Sequence, residues 1–241
     1  MKNILLLTVF LALNLFAMEY TGKLEPFKTI KISSEVSGKV IFANEKDQFS
    51  YIENKTLILK IDTKDEDIEL KALEESLKNQ KEILAIQKQN HINKSKVKQL
   101  SIYEKNQEKL TYLQTQLIIT DIEKSIKTLQ NQKDKKEFFV KDFYITDLDV
   151  KEGENINIGD NLYSLYDFSK LKITLYLKPE DIKNINSKEI YIDDKKSEFK
   201  ILNVSKVKDN LRVSTHKVEL VQVDPNIDLI ESGKIVKVEF R

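Results

Sequence analysis

No glycine occurs between Gly38 and Gly153, and no proline between Pro26 and Pro179. Residues 63–137, 75 positions, therefore run without either strong helix breaker. The stretch is rich in Lys, Glu, Gln and Leu, all good helix formers. Ile68, Leu70, Leu73, Leu77 and Leu84 open one apolar series, and the 70, 73, 77, 80, 84 spacing is the alternating three-and-four step of a coiled-coil seam, with Gln80 as its polar member. Leu110, Leu113, Leu117, Ile118, Ile122, Ile126 and Leu129 form a second series. Leu77 and Leu117 are expected core positions. One continuous helix would be about 110 Å long, and two antiparallel arms about 55 Å each. The seam is weakest between Gln89 and Tyr103, so a turn there would divide the stretch into near-equal arms. The alternative is a single long helix dimerising with another chain. His91 lies near the proposed turn and is expected to be solvated.

The flanks favour the hairpin. Gln48, Tyr51, Asn54 and Leu57 recur as Gly153, Ile156, Gly159 and Leu162, each 105 positions later, and Val40 matches Ile145 at the same offset. These runs read as short strands between tight turns. Gly159 suits a positive φ, and Asn54 is the next-best residue for such a turn. Each copy is too small to bury a core alone, so the two are expected to pair. That pairing would bring Asp62 beside Glu137 and oblige the helical insert to go out and come back.

Composition narrows the function classes. The 241 residues hold 40 Lys+Arg against 39 Asp+Glu, a net charge of +1 with 33% of positions charged. A nucleic-acid binder relying on excess cations is excluded on that balance. Without cysteine there are no disulfides, Cys-metal sites or thiol nucleophiles. His91 and His216 are the two histidines, 125 positions apart, and the five glycines are too scattered for a phosphate loop. We expect no enzyme, no catalytic or metal-binding residues and no cofactor. At the N-terminus Lys2 precedes an almost unbroken apolar run from Ile4 to Ala17. The run is short for a bilayer span and ends on a small residue, which reads as an export signal over 1–17, cleaved or retained as an anchor.

Taken in order, Ser37-Gly38-Lys39-Val40, the helical insert, then Val150-Lys151-Glu152-Gly153-Glu154-Asn155-Ile156-Asn157-Ile158-Gly159-Asp160-Asn161-Leu162 resemble the periplasmic adaptor (membrane fusion) proteins of Gram-negative efflux and secretion systems, the HlyD-like and RND-type adaptors among them. Leu171-Lys172-Ile173-Thr174-Leu175-Tyr176-Leu177-Lys178-Pro179 is similar to that family's entry into its small β-barrel. Val218 to Pro225, then Leu229, Gly233 and Val236 to Phe240, are similar to its end, and Tyr20 to Pro26 to its leading strand.

The resemblance implies an elongated α+β, multi-domain chain. A signal would occupy 1–17 and a strand joining the barrel 18–33. A split lipoyl-like β domain would occupy 34–62 and 138–169, with an antiparallel coiled-coil hairpin, 63–137, inserted between its halves and a β-barrel at 170–241. The lysine-bearing turn of true lipoyl domains falls where the hairpin enters, so no lipoylation is expected. A further membrane-proximal domain of many members looks absent or rudimentary. The family's tip spacing, Arg, then Leu four on, then Ser seven further, is met here by Lys96, Leu100 and Gln107, with two of three residue types changed. These are the candidate partner-binding residues, with Leu100 as an exposed knob. The implied partners are a TolC-type outer-membrane channel, an inner-membrane transporter of RND or similar type, and further copies in a ring, a hexamer by family expectation. The implied location is the periplasm, against the inner membrane. The rival reading is an envelope coiled-coil scaffold with no transport role. Asp62, Asp65, Glu66, Asp67 and Glu69 are expected to cap the first helix rather than hold a cation.

Overall fold

Two strands organise the β structure. β1 (Met18–Ser33) and β8 (Asn161–Leu177) are 16 and 17 residues long and lie antiparallel, from Lys23↔Thr174 to Ser33↔Asn161, with a bulge between Pro26 and Lys28. The computed structural model describes residues 18–209, 212, 214–226 and 230–241. The export signal expected over 1–17, and Leu229, lie outside the described residues. Among the described residues no helix is long and apolar enough to cross a membrane.

Within β8 the run Leu171, Ile173, Leu175, Leu177 is buried while Lys172, Thr174 and Tyr176 are half-buried. This period of two is the mark of a strand with one face in a core. β12 (His216–Val223) pairs with this half of β8, and β11 (Lys200–Lys208) pairs with β12. The first residues of β1 pair with β13 (Ile235–Phe240), and β13 with β9 (Ile190–Ile192), which turns back into β10 (Lys195–Lys196). Their inward side chains, Ile173, Leu175, Leu220, Val238 and Phe240 among them, form one core.

A second core gathers Val40, Ile58, Leu59, Ile61, Ile145, Ile156, Leu162 and Leu165. The 105-residue offset reappears here in the strands. β2 (Gly38–Ala43) plus 105 is β6 (Phe143–Leu148), residue for residue, and β4 (Thr56–Ile61) plus 105 is the first six residues of β8. Pairing follows the same symmetry. β2 pairs with β4 and with β7 (Asn155–Ile156), while β6 pairs with β8 and with β3 (Tyr51–Ile52), so each copy lends a strand to the other. The turns are less symmetric than expected. Gly153 and Gly159 both take φ 93°, but Asn54 is not among the positive-φ residues, and Phe49 takes φ 61° instead. Phe49 stands one residue after Gln48, the position matching Gly153: after the 3₁₀ turn at Glu45–Asp47 Gln48 is extended, and the positive φ falls on the next residue.

β4 also pairs with β5 (Glu137–Val140), Lys60 facing Glu137. The chain leaves β4, runs out along α1 (Lys64–Lys96), turns, and returns along α2 (Ile102–Asp134) into β5.

Candidate functional site

At the base of the two helices the acidic run meets lysines. The Lys136 ammonium donates to the Asp62 carbonyl at 2.8 Å and to Glu66, while Lys133 pairs with Asp67. Lys133 and the Thr63 hydroxyl beside it hold the Asp67 carboxyl below its ordinary range. Asp62 Oδ1 accepts from the Lys64 amide at 3.1 Å, at the helix start. These carboxylates thus join the arms to each other and to the first helical turn, where negative charge is favoured.

Burial defines the seam. On α1 the covered positions are Glu66, Leu70, Leu73, Ser76, Leu77, Gln80, Leu84, Gln87 and His91, which apart from Ser76 alternate by four and three. On α2 they are Lys105, Glu108, Tyr112, Thr115, Gln116, Ile119, Ile122, Ile126, Leu129 and Lys133. The ion pairs Lys81–Glu123, 2.9 Å, and Lys94–Glu108 set the register. Residues 83–92 therefore lie level with 110–119.

Three expectations are overturned at this level. Leu110, Leu113, Leu117 and Ile118 are not in the seam, and Leu117 is 65% exposed. The second apolar series splits: Ile122, Ile126 and Leu129 face α1, joined by Ile119, while Leu110, Leu113 and Leu117, joined by Tyr103, lie roughly 180° round the helix at 100° per residue. Ile68, which opens the first series, is 71% exposed. His91 is half-buried and stacks on Tyr112, ring centroids 6.3 Å apart, rather than standing in solvent. Gln116 donates to the Tyr112 hydroxyl at 3.0 Å, and the Thr115 hydroxyl donates to the Thr111 carbonyl at 3.3 Å. The upper seam is therefore polar.

The turn occupies residues 97–101. Ser101 caps α2: its hydroxyl accepts from the Glu104 amide at 3.2 Å, and its own amide donates to Glu104 Oε2 at 2.9 Å. Donation from the Ser101 amide, then its hydroxyl, lowers the Glu104 pKa. This capping box, Ser-x-x-Glu, is legible in the sequence and locates the start of α2 better than the polarity of the segment does.

Lys96 is the last residue of α1 and is exposed; Gln107 stands on the second turn of α2, also exposed. Leu100 is in the turn and half-buried, so it is not a fully exposed knob. The three occupy one end of the paired helices, and among the described residues no hydrogen bond joins their side chains. The exposed apolar groups at that end are Val97, Ile102 and Tyr103. What this end offers chemically is apolar contact area ringed by lysines and amides, suited to docking.

By sequence the chain matches no described protein family and no curated protein. By structure it matches MacA from Actinobacillus actinomycetemcomitans with TM-score 0.72 at 17% identity, covering 93% of this chain and 78% of that one. A membrane fusion protein from Streptococcus pneumoniae matches with TM-score 0.69 at 10% identity over 93% of this chain and 98% of its own. The periplasmic adaptor protein EmrA matches with TM-score 0.50 at 13% identity, over 93% and 98%. A likeness at this level of identity establishes architecture, and the architecture of this chain is the membrane fusion protein fold.

Proposed function

We propose that the chain is a periplasmic adaptor of a tripartite efflux or secretion system. It links an inner-membrane transporter, RND or similar, to a TolC-type outer-membrane channel, and several copies assemble around the conduit. Residues 34–62 and 138–169 act as a lipoyl-like domain, 63–137 as the hairpin, and 18–33 with 170–241 as the barrel, although β8 runs unbroken across residue 169. The observation that carries the reading is the pair of helices held to each other within one chain by Lys81–Glu123, Lys94–Glu108 and Asp67–Lys133. A scaffold built on a parallel dimer would have no use for these intramolecular pairs, and the fold neighbours include a putative efflux transporter from Bacteroides eggerthii and a periplasmic adaptor protein. Lys96, Leu100 and Gln107 supply the docking end, joined by Ile102 and Tyr103.

The test exploits the missing cysteines. A cysteine introduced at 100 or 102 should crosslink in cells to an outer-membrane channel, and one at 77 should not. Leu100→Asp combined with Ile102→Asp should abolish transport while helicity and melting temperature stay put. Equal crosslinking at 77 and 100, or full transport by the double variant, would remove the tip from the reading.

A further inference from the structure

One face of the β structure carries a row of tyrosines. Tyr51 on β3 is the register partner of Tyr144 on β6, and Tyr144 that of Tyr166 on β8. Partners across a sheet share a face, so the three side chains stand in one row over three neighbouring strands. The Tyr144 and Tyr166 rings stack with centroids 6.5 Å apart, and Phe168 meets both edge-on at 5.7 and 5.9 Å. The row is not sealed in a core. All three tyrosines are half-buried, and among the described residues their hydroxyls make no hydrogen bond. They line a cleft of about 930 Å³, within the roughly 300–1,000 Å³ of small-molecule sites.

A bulge brings a carboxylate to the same face. Ile145 pairs with Leu165 but Asp147 with Ser164, so Thr146 is an extra residue in β6. Three positions apart, Tyr144 and Asp147 would point to opposite faces of a regular strand. The bulge sets Asp147 beside Ser164, on the face of Tyr166, and re-aiming a side chain is what such bulges do. Asp147 is exposed at the cleft wall and makes no ion pair among the described residues. The lysines of the cleft are differently placed. Lys172 lies opposite Glu25, and Lys28 opposite Asp167, in the β1–β8 register. Lys23 lies at the far end, beside Gly233. Lys31, outside the cleft, shares the row of Asp147 and Ser164 but stands two strands away. At the Tyr51 end burial, then the Asp142, Glu53 and Asp167 carboxylates, raise the phenol above its ordinary value, so the local field is negative.

Phe49, 65% exposed, stands on the rim of this cleft at φ 61°. Its amide donates to the Ile145 carbonyl at 2.9 Å, and the Ile145 amide donates to the Ser50 carbonyl at 3.0 Å. These bonds hold a bulky residue in a sparsely populated conformation, and strain of that kind concentrates at ligand clamps.

We propose that this cleft binds a planar aromatic cation, its rings packed against the Tyr51–Tyr144–Tyr166 row and its positive charge held by the tyrosine rings and the Asp147 carboxylate. Tyrosine rings attract cations through their negative faces and offer broad apolar area to flat ligands. An anionic ring would meet Asp147 and the negative field at Tyr51, and a neutral one would leave Asp147 unused. The proposal goes beyond the adaptor reading and stands without it, because it rests on the β structure and not on the hairpin end.

Ethidium, a planar aromatic cation whose emission rises on leaving water, tests it on the purified full chain. Emission should saturate at one ethidium per chain. Asp147→Asn, an exposed change that leaves the cores alone, should weaken binding at least about five-fold. Tyr144→Ser should weaken it at least about ten-fold, and Tyr144→Phe, which keeps the ring, by under about three-fold. Circular dichroism melts of each variant show that the β structure is intact. Failure to saturate, or equal binding by Asp147→Asn and the natural chain, would overturn the proposal. Equally tight binding of the anionic anilinonaphthalene sulfonate, lost in the same variants, would overturn the cation assignment. Crosslinking from a cysteine at 100 reports on the adaptor reading separately, so either can fail alone.

Discussion

Replacing Leu129 and Leu117 by alanine, one at a time, measures which face of α2 meets α1. Leu129 is 6% exposed in the seam, whereas Leu117 is 65% exposed on the outer edge. A buried Leu→Ala change removes transfer free energy and leaves a cavity, together 2–5 kcal/mol in globular cores. The seam has protein on one side only and can relax, so the lower end, about 2 kcal/mol, applies to Leu129. At 2–4 °C per kcal/mol for a chain of this size, the melt should fall by about 4–8 °C. Leu117→Ala leaves the seam untouched, and surface changes stay within about 0.5 kcal/mol, or under about 2 °C. Alanine is at least as good a helix former as leucine, so propensity does not blur the comparison. The assay is thermal unfolding followed by circular dichroism at 222 nm, at a concentration low enough that copies are apart. Equal losses, or a larger loss at 117, would mean that α2 is rotated in solution and that the seam defined by Thr115, Ile119 and Leu129 is wrong.

Three further outcomes follow from the same geometry. The carboxyls of Asp67, lowered by Lys133 and Thr63, of Glu104, lowered by Ser101, and of Glu35, lowered by Lys135, titrate below their unfolded values. Their contribution is present above the unfolded range near about pH 4 and is lost as pH falls through the folded values. Helicity at 222 nm should therefore drop below about pH 4, and Asp67→Asn should flatten that drop; an unchanged profile would remove the base ion pair from the account. Gly22→Ala places a Cβ 2.4 Å from Ile173 Cγ2 and 2.8 Å from Leu175 Cδ2, both in fully buried residues. Overpacking of that kind costs about 1–3 kcal/mol, readable as a lower denaturant midpoint with an unchanged slope. Replacing residues 65–134 by a short Gly/Ser linker should leave a β protein with a cooperative melt, because Lys60 and Glu137 already lie opposite each other across β4 and β5 and closure entropy grows slowly with loop length. An unfolded remnant would show that the two strand copies need the helices.

The strands are legible where burial alternates. Leu171-Lys172-Ile173-Thr174-Leu175-Tyr176-Leu177 announces one buried face, and the 105-residue offset carries β2 onto β6 and β4 onto the start of β8. The turn at Phe49 is not legible, since nothing local marks a bulky residue for φ 61°; the 3₁₀ turn before it and the Phe49 amide bond to the Ile145 carbonyl, 2.9 Å, impose it from outside. The seam of α1 is legible for a different reason. Leu70, Leu73, Leu77 and Leu84 are the only apolar set on their arm with the three-and-four step, so the period and the buried face coincide.

On α2 period and face part company. Leu110, Leu113 and Leu117 satisfy the same step as Ile119, Ile122, Ile126 and Leu129, and periodicity says that a stripe exists without saying what it faces. Direction is decided by α1: once Lys81 meets Glu123 and Lys94 meets Glu108, only the stripe through Tyr112, Thr115 and Ile119 can point inward. Tyr112 and Thr115 then share the seam with Ile119, and Leu110, Leu113 and Leu117 are turned out. The tip follows the same logic. Lys96, Leu100 and Gln107 were singled out by spacing, but the side chains left most open at that end, Ile102 and Tyr103, are set by the Ser101 cap, which starts α2 one residue before them and so presents its first turn to solvent. A search for docking residues in such chains should therefore begin from caps and cross-helix charge pairs, which fix orientation, and take the apolar period second.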